Sequence, residues 1–261
     1  MIAMLDEIVE KTKERLIEEK KNKSLDELKE EVSKLEITDD FPFKEALKDP
    51  QIAIISEVKR ASPSKGIIAE DFDYVKIAKE YESAGASAIS VLTEPYFFKG
   101  SDDYLKEISE NVSIPILRKD FIIDEYMIWQ AKLLGASAVL LIVSILSVVE
   151  LKTYLDLAHK LGLSAIVEVH DADEIRTAMI VGAEIIGVNN RNLKDFTVDI
   201  ENSISLRRCV SGDVIFISES GIKTPQDIRK LKENDVDAVL IGETLMKSDD
   251  KKAMIMELKN G

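Results

Sequence analysis

The stretch SAIVEVHDADEIRTAMIVGAEIIGV, Ser164 to Val188, decides the fold. Ala165-Ile166-Val167 is a short apolar run of the kind buried in a parallel strand, and it ends in Glu168-Val169-His170. Asp171 stands where a helix N-cap belongs, an amphipathic segment runs from there to Val181, and Gly182 supplies a left-handed closing residue. Ile185-Ile186-Gly187-Val188 then opens another apolar run. The segment therefore reads as strand, crossover helix and parallel strand.

The same unit repeats in both directions. Apolar runs begin near Ile52, Ala88, Ile114, Ala138, Ser164, Ile185, Val214 and Ala238, at spacings that hold one strand, one helix and two short loops. Helical stretches follow at Tyr74 to Ala84, Asp124 to Leu134, Ser147 to Leu161, Asp171 to Val181 and Thr224 to Asn234. Asp73, Asp124 and Asp171 serve as N-caps, Pro225 as a first-turn proline, and Gly85, Gly135, Gly162 and Gly182 as helix closures. Eight units point to an α/β chain folded as one (β/α)8 barrel, since a sheet of eight such strands closes and fills its own interior. An open doubly wound sheet is the alternative. No Gly-x-Gly-x-x-Gly turn follows the first run, which favours the barrel.

Residues 1–50 differ. Ile2, Leu5, Ile8, Val9 and Leu16 mark one helical face. Ser24 to Glu27 forms a capping box for a second helix carrying Leu25, Leu28, Val32 and Leu35. These helices are too polar to enclose a core, so the expectation is an N-terminal helical extension packed on a barrel of residues 51–261, one domain overall.

Composition limits the function. Of 261 residues, 45% are hydrophobic and 32% charged, which suits a folded globular chain. Acids exceed Lys and Arg by 49 to 35, and a net charge of -14 repels nucleic acid and anionic membrane. No apolar run reaches the ~18 residues of a membrane span. The start, Met1-Ile2-Ala3-Met4-Leu5 followed by Asp6 and Glu7, lacks the features of a secretory leader. The single cysteine, Cys209, cannot form an internal disulfide and is expected to be a small buried group; with only His159 and His170 beside it, no Cys/His metal cage is available. A reducing, cytoplasmic setting fits, and the lack of an obvious apolar patch favours a monomer.

Function in a parallel barrel is built where the strands end. Ile55, Glu57 and Lys59 share a face at the first strand end, Arg118-Lys119-Asp120-Phe121 closes the third, Glu168-Val169-His170 the fifth, and Asn189-Asn190-Arg191 the sixth. Any one of these charges could be half of a structural ion pair. Four charged residues, Glu57, Lys59, Lys119 and Glu168, gathered in one mouth are the pattern that shifts pKa values for proton transfer. After the last two strands, in Ser218-Glu219-Ser220-Gly221 and Ile241-Gly242-Glu243-Thr244, small residues replace charged ones. Their backbone N–H groups suit a phosphate, commonly bound there in such barrels.

These motifs, with Ser56-Glu57-Val58-Lys59-Arg60-Ala61-Ser62-Pro63-Ser64, Leu92-Thr93-Glu94, Phe98-Lys99-Gly100-Ser101 and Gly187-Val188-Asn189-Asn190-Arg191-Asn192-Leu193, are collinear over residues 56–246. Together they resemble the indole-3-glycerol-phosphate synthase family of tryptophan biosynthesis. The resemblance implies a cofactor-free, metal-free reaction. In it 1-(2-carboxyphenylamino)-1-deoxyribulose 5-phosphate closes a ring, then loses carbon dioxide and water. It implies Lys119 as the acid at the carbonyl, Glu168 as the acid/base of later proton transfers, Glu57 tuning charge beside it, and Lys59 holding the substrate carboxylate. Asn189 is implied as a neutral hydrogen-bonding partner, Ser62 as a carboxylate partner, and Phe98 and Phe121 as flanks of the aromatic ring. Ser220, Gly221, Gly242 and Glu243 match the phosphate cradle, with the Glu243 side chain expected to point away. Arg191, with Lys59, Arg60, Lys65 and Lys119, is expected to make a positive pocket for this small phosphorylated substrate. Whether the N-terminal helices cover one mouth of the barrel is likewise inherited from the resemblance. A phosphoribosylanthranilate isomerase would need a cysteine near the first strand end, where Glu57 and Lys59 stand. An aldolase forming a Schiff base on Lys119 and a catalytically silent phosphosugar-binding barrel are further alternatives; a silent binder has no use for a base beside an acid.

Overall fold

The computed structural model describes residues 4–49, 51–192 and 197–260, so Ile2 and Leu193 of the expectations above lie outside the described residues. Eight parallel strands form a closed barrel: β1 (Ala53–Val58), β2 (Ala88–Leu92), β3 (Ile116–Lys119), β4 (Ala138–Ile142), β5 (Ser164–Val169), β6 (Ile185–Asn189), β7 (Ile215–Glu219) and β8 (Ala238–Ile241). Closure comes from β1 pairing with β8, Ala53 to Ala238 through Ser56 to Ile241, and it removes the open edges a sheet otherwise exposes. The strand starts agree with the apolar runs except at the third. There the strand begins at Ile116, because Pro115 has no N–H for the ladder; its carbonyl accepts from the Ile89 N–H at 3.0 Å.

The helices are α1 (Met4–Asn22), α2 (Leu25–Val32), α3 (Pro42–Ala46), α4 (Tyr74–Ser83), α5 (Asp102–Ser109), α6 (Glu125–Leu133), α7 (Val148–Lys160), α8 (Ala172–Ile180), α9 (Glu201–Arg207), α10 (Pro225–Lys232), α11 (Glu243–Met246) and α12 (Lys251–Lys259). Asp73, Asp124, Asp171 and Thr224 are N-caps whose side chains accept first-turn N–H groups, and Ser24 with Glu27 completes the capping box. Among the described residues no helix is long and apolar enough to cross a membrane.

Period-two alternation divides the strand residues between two apolar layers. Ala53, Ile55, Leu117, Leu140, Ile166, Ile185, Ile217 and Leu240 fill the interior. Ile54, Val91, Val139, Val167, Val188, Phe216 and Val239 face the helices. The lower end of the interior holds two residues with no marker in the sequence pattern. Phe43 of α3 and Leu47 after it are completely buried and join the interior cluster near Ala53, Ala88, Ala138 and Ala238, where strands begin. Two expectations need correction. Leu35 is exposed because α2 ends at Val32, before Leu35 can reach the helix's buried face. Cys209 is exposed too, since α9 stops at Arg207 and the neighbouring buried positions belong to Leu206 and Val210.

Candidate active site

The alternation that puts Ile55, Leu117, Ile166, Ile185, Ile217 and Leu240 inside puts Glu57, Lys119, Glu168, Gly187, Glu219 and Gly242 one layer further up the same interior. This layer, apart from Gly187, lines the floor of a cavity of about 460 Å³. Two of its members are glycines because two carboxylates need the space. A Cβ on Gly187 would collide with Glu219 Oε1 and stand 2.9 Å from Ile166 Cγ2. One on Gly242 would collide with Glu57 Oε2 and stand 2.8 Å from Lys59 Nζ.

Lys119 is the hub. Its Nζ donates to Glu168 Oε2 and to Glu219 Oε2, each at 2.8 Å. Burial alone would lower the Lys119 pKa, but Glu168, Glu219 and Glu57 outweigh it and hold the amine as an ammonium. The two carboxyls respond in opposite directions. Burial works to raise both; for Glu168 the ammonium of Lys119, His170 and the Asn189 amide prevail and bring the pKa down. Glu219, with Lys119 shared and Glu168 beside it, is pushed up to about 7, mainly by burial. Its Oε1 is buried without a hydrogen-bond partner among the described residues. One floor thus holds a cation, a carboxylate and a carboxyl poised to carry a proton near neutrality, the arrangement that allows acid and base steps in one place.

The loops orient the other groups. Asn189 Oδ1 accepts from the Arg191 N–H at 3.0 Å, which turns its amide toward Glu168 Oε1, 3.3 Å from Nδ2. Lys59 Nζ pairs with Glu57 Oε2. Glu94, fully buried, accepts the N–H groups of Tyr96, Phe97 and Phe98 at 2.9, 2.7 and 3.0 Å, so Phe98 is held on a fixed turn. Its ring lies 6.0 Å from that of Phe121, centroid to centroid, and both line the cavity with Ser62.

Beside the floor position Gly242, the segments after β7 and β8 line the cavity with Ser220, Gly221 and Glu243. Ser220 and Gly221 have φ of 71° and 89°. For serine that region costs roughly 1 to 3 kcal/mol, and Asn190 holds it there. Asn190 Nδ2 donates to Ser220 O at 3.0 Å and to Ser218 Oγ at 2.9 Å, while its Oδ1 accepts from Ser203 Oγ at 2.7 Å. The Glu243 carboxylate lies along its own helix, 2.6 Å from Lys247 Nζ. The lining carries Lys59, Lys65, Lys119, Arg191, Lys223 and Lys247 against Glu57, Asp120, Glu168, Glu219 and Glu243. Set against a net charge of -14, that is a local surplus of cations; Arg60 is not part of the lining.

The mouth is partly walled by α1, through Met4, Leu5 and Ile8. The helix is fastened beside Lys119. Arg15 Nη2 bonds both oxygens of Asp120 at 3.1 and 2.9 Å, and Asp120 also accepts from Thr93 Oγ1 at 2.7 Å. Despite burial, Arg15 and Arg118, whose Nη2 lies 3.5 Å from Asp120 Oδ2, hold the Asp120 pKa down.

Of the residues expected at the site, all but Arg60 lie on this cavity. The pattern of small residues after the last two strands hides one more: Glu219, set within Ser218-Glu219-Ser220-Gly221, is central to the ion cluster. Counting in twos from Ile215 and Ile217 places it inside. Asn190 and Arg15 give no comparable signal, since the partners of Asn190 lie 13, 28 and 30 residues away and that of Arg15 lies 105 away.

Comparison with known proteins agrees with this geometry. The family model described as indole-3-glycerol phosphate synthase matches residues 5–258. A protein of that name from Lachnoclostridium phytofermentans is 53% identical, over 98% of this chain and 99% of its own. One from Ruminiclostridium cellulolyticum is 54% identical over 98% of each chain. Among solved structures, 3-hexulose-6-phosphate synthase from Salmonella typhimurium superposes with a TM-score of 0.67 at 15% identity, covering 80% of this chain and 97% of that one. Thiamine phosphate pyrophosphorylase from Pyrococcus furiosus gives 0.61 at 17% identity, over 82% and 96%. At such identities these structures speak for the barrel fold alone.

Proposed function

The chain belongs to the indole-3-glycerol phosphate synthase family, decarboxylating lyases of tryptophan biosynthesis, and we propose that its own residues divide the reaction as follows. The substrate, 1-(2-carboxyphenylamino)-1-deoxyribulose 5-phosphate, sits with its phosphate against Ser220, Gly221, Gly242 and the Glu243 backbone, and its aryl ring between Phe98 and Phe121. Lys59 and Ser62 hold the aryl carboxylate, and Arg191 adds positive charge to the pocket. As the carboxylate-bearing ring carbon bonds to the ketone carbon, the Lys119 ammonium gives a proton to the ketone oxygen. Carbon dioxide then leaves and the ring recovers its aromaticity. Dehydration needs an acid for the departing hydroxyl and a base for the proton on the neighbouring carbon. Glu168 and Glu219 flank Lys119 and take these two parts, Glu219 entering protonated and Glu168 ionised. Glu57 shares charge with Lys59, and Asn189 aligns Glu168.

The observation that carries this reading is the position of Lys119 Nζ, 2.8 Å from each of two carboxyls whose pKa values are driven apart. The reading extends to residues 1–50 as an extension packed on the barrel within one domain, and to a cytoplasmic monomer. Its test is growth of indole fluorescence when the substrate is added to purified protein without added metal or nucleotide. A silent mixture, or borohydride trapping of substrate on Lys119, overturns it. The absence of a trapped adduct alongside fluorescence growth supports it.

A further inference from the structure

His170 lies outside the cavity lining, yet its ring is built into the back of Glu168. It sits two residues beyond Glu168 at the end of β5, just before the Asp171 cap of α8. Glu174, in the first turn of α8, grips it twice: Oε2 accepts the His170 backbone N–H at 2.7 Å and lies 3.1 Å from ring Nδ1. That grip assigns the Nδ1 proton to Glu174. Nε2 then faces Glu168 Oε1 at 3.6 Å, buried and with no hydrogen-bond partner among the described residues.

Glu168 is thus approached from two sides. Lys119 takes Oε2, and Asn189 and His170 face Oε1. With Nδ1–H committed, a neutral ring would turn a bare lone pair toward a carboxylate. Either Nε2 carries a proton opposite ionised Glu168, or Glu168 carries one and offers it to Nε2. Glu168 and His170 therefore hold one proton between them across the neutral range.

We propose that His170, clamped by Glu174, is a positioning residue that holds Glu168 in its working ionisation state. This rests on the role given above to Glu168. The titratable groups facing the ring are Glu168 from β5, Glu174 from α8 and Glu219 from β7; α9 contributes Asn202, whose Nδ2 lies 3.4 Å from His170 O. Although burial opposes it, the contact with Glu174 and the charge of Glu168 raise the His170 pKa above its ordinary 6.5, while that of Glu168 falls. Removing the imidazolium takes a cation from Glu168, so the carboxylate protonates at higher pH.

The chain has two histidines, which makes the test direct. In His170→Asn the amide keeps a donor toward Glu174 and deletes Nε2. The acidic limb of kcat should move up by roughly one pH unit, with KM little changed because His170 does not line the cavity. Ring-carbon NMR titration of the intact protein should show one histidine titrating above 6.5 and falling in both Glu168→Gln and Glu174→Gln. His159, lowered mainly by burial, serves as the internal control. An acidic limb that coincides with wild type in His170→Asn overturns the proposal, as does a His170 titration indifferent to Glu168→Gln. If His170→Asn does not fold, the Glu174→Gln titration decides instead: a fall supports the proposal, and an unmoved His170 overturns it. Should Glu168→Gln retain full turnover, the catalytic role of Glu168 fails instead, while the NMR coupling still reports on the pair.

Discussion

Replacing Glu219 by Gln is expected to make the folded chain gain stability relative to wild type as pH rises through neutrality, while disabling it. Glu219 is 2% exposed, and its carboxyl is raised from an ordinary 4.5 to about 7, chiefly by burial. Between those values the folded chain keeps a proton that the unfolded chain has released. Its contribution to stability is therefore fully present below 4.5, declines as pH rises, and levels off above about 7. At ~1.4 kcal/mol per pH unit the loss is about 3 kcal/mol. Gln preserves the shape and cannot ionise, so the variant lacks this slope. The stability difference, variant minus wild type, should climb by about 3 kcal/mol between pH 4.5 and 8, whatever constant offset follows from the altered contact with Lys119. For a chain of this size that corresponds to a relative rise in Tm of about 6 to 12 °C. Urea unfolding at a series of fixed pH values reads the difference directly, and turnover measured on the same samples should fall at least tenfold. A difference that stays flat with pH, or shrinks as pH rises, refutes the argument, since it would mean Glu219 enters the folded state already ionised.

Lys119→Ala and Glu168→Gln should each lose 10² to 10⁴ in kcat while keeping a folded barrel by circular dichroism; near-normal turnover in either would remove its assigned role. Gly187→Ala places a methyl against Glu219 Oε1 and Ile166, and should cost 1 to 3 kcal/mol in urea unfolding together with most of the turnover. Arg15→Met leaves Asp120 with the Thr93 hydroxyl, the Phe121 N–H and the more distant Arg118. Losing one partner of a buried pair typically costs 3 to 5 kcal/mol, and the partners that remain should reduce this to roughly 1 to 3. Amide exchange in α1 should quicken and KM should rise, whereas unchanged protection of α1 would show that Arg15 does not fasten it.

The fold is legible in the sequence because the βαβ units are local: in several of them an apolar run, an N-cap aspartate and a closing glycine follow one another along the chain, as from Ser164 to Val188. The site is legible to the extent that it follows strand parity. Glu57, Lys119 and Glu168 stand at strand ends, and the barrel brings them together. Glu219 obeys the same parity but is hidden by the small residues around it. Phe43 and Leu47 form no periodic pattern, since a five-residue helix offers too short a run to show one. The Asp120 anchor is beyond such reading for another reason: its partner Arg15 belongs to a helix whose docking depends on the completed barrel. Exposure of Cys209 depends on where α9 ends, and helix ends are the least determined part of a pattern.

Because the reaction chamber draws its wall from Met4, Leu5 and Ile8 and another part of its lining from Gly242 and Glu243, it is assembled from residues that leave the ribosome far apart in time. At ~5–20 residues per second these emerge roughly ten to fifty seconds apart. Through that interval the apolar stripe of α1 has no β8 to complete the vessel it covers, and a nascent chain must keep the stripe from sticking elsewhere. The alternating Glu and Lys of Glu10-Lys11-Thr12-Lys13-Glu14 and Glu18-Glu19-Lys20-Lys21 give that helix a strongly solvated opposite face. Charges that take no part in the finished enzyme's chemistry would then help the growing polypeptide avoid aggregation before its last strand arrives.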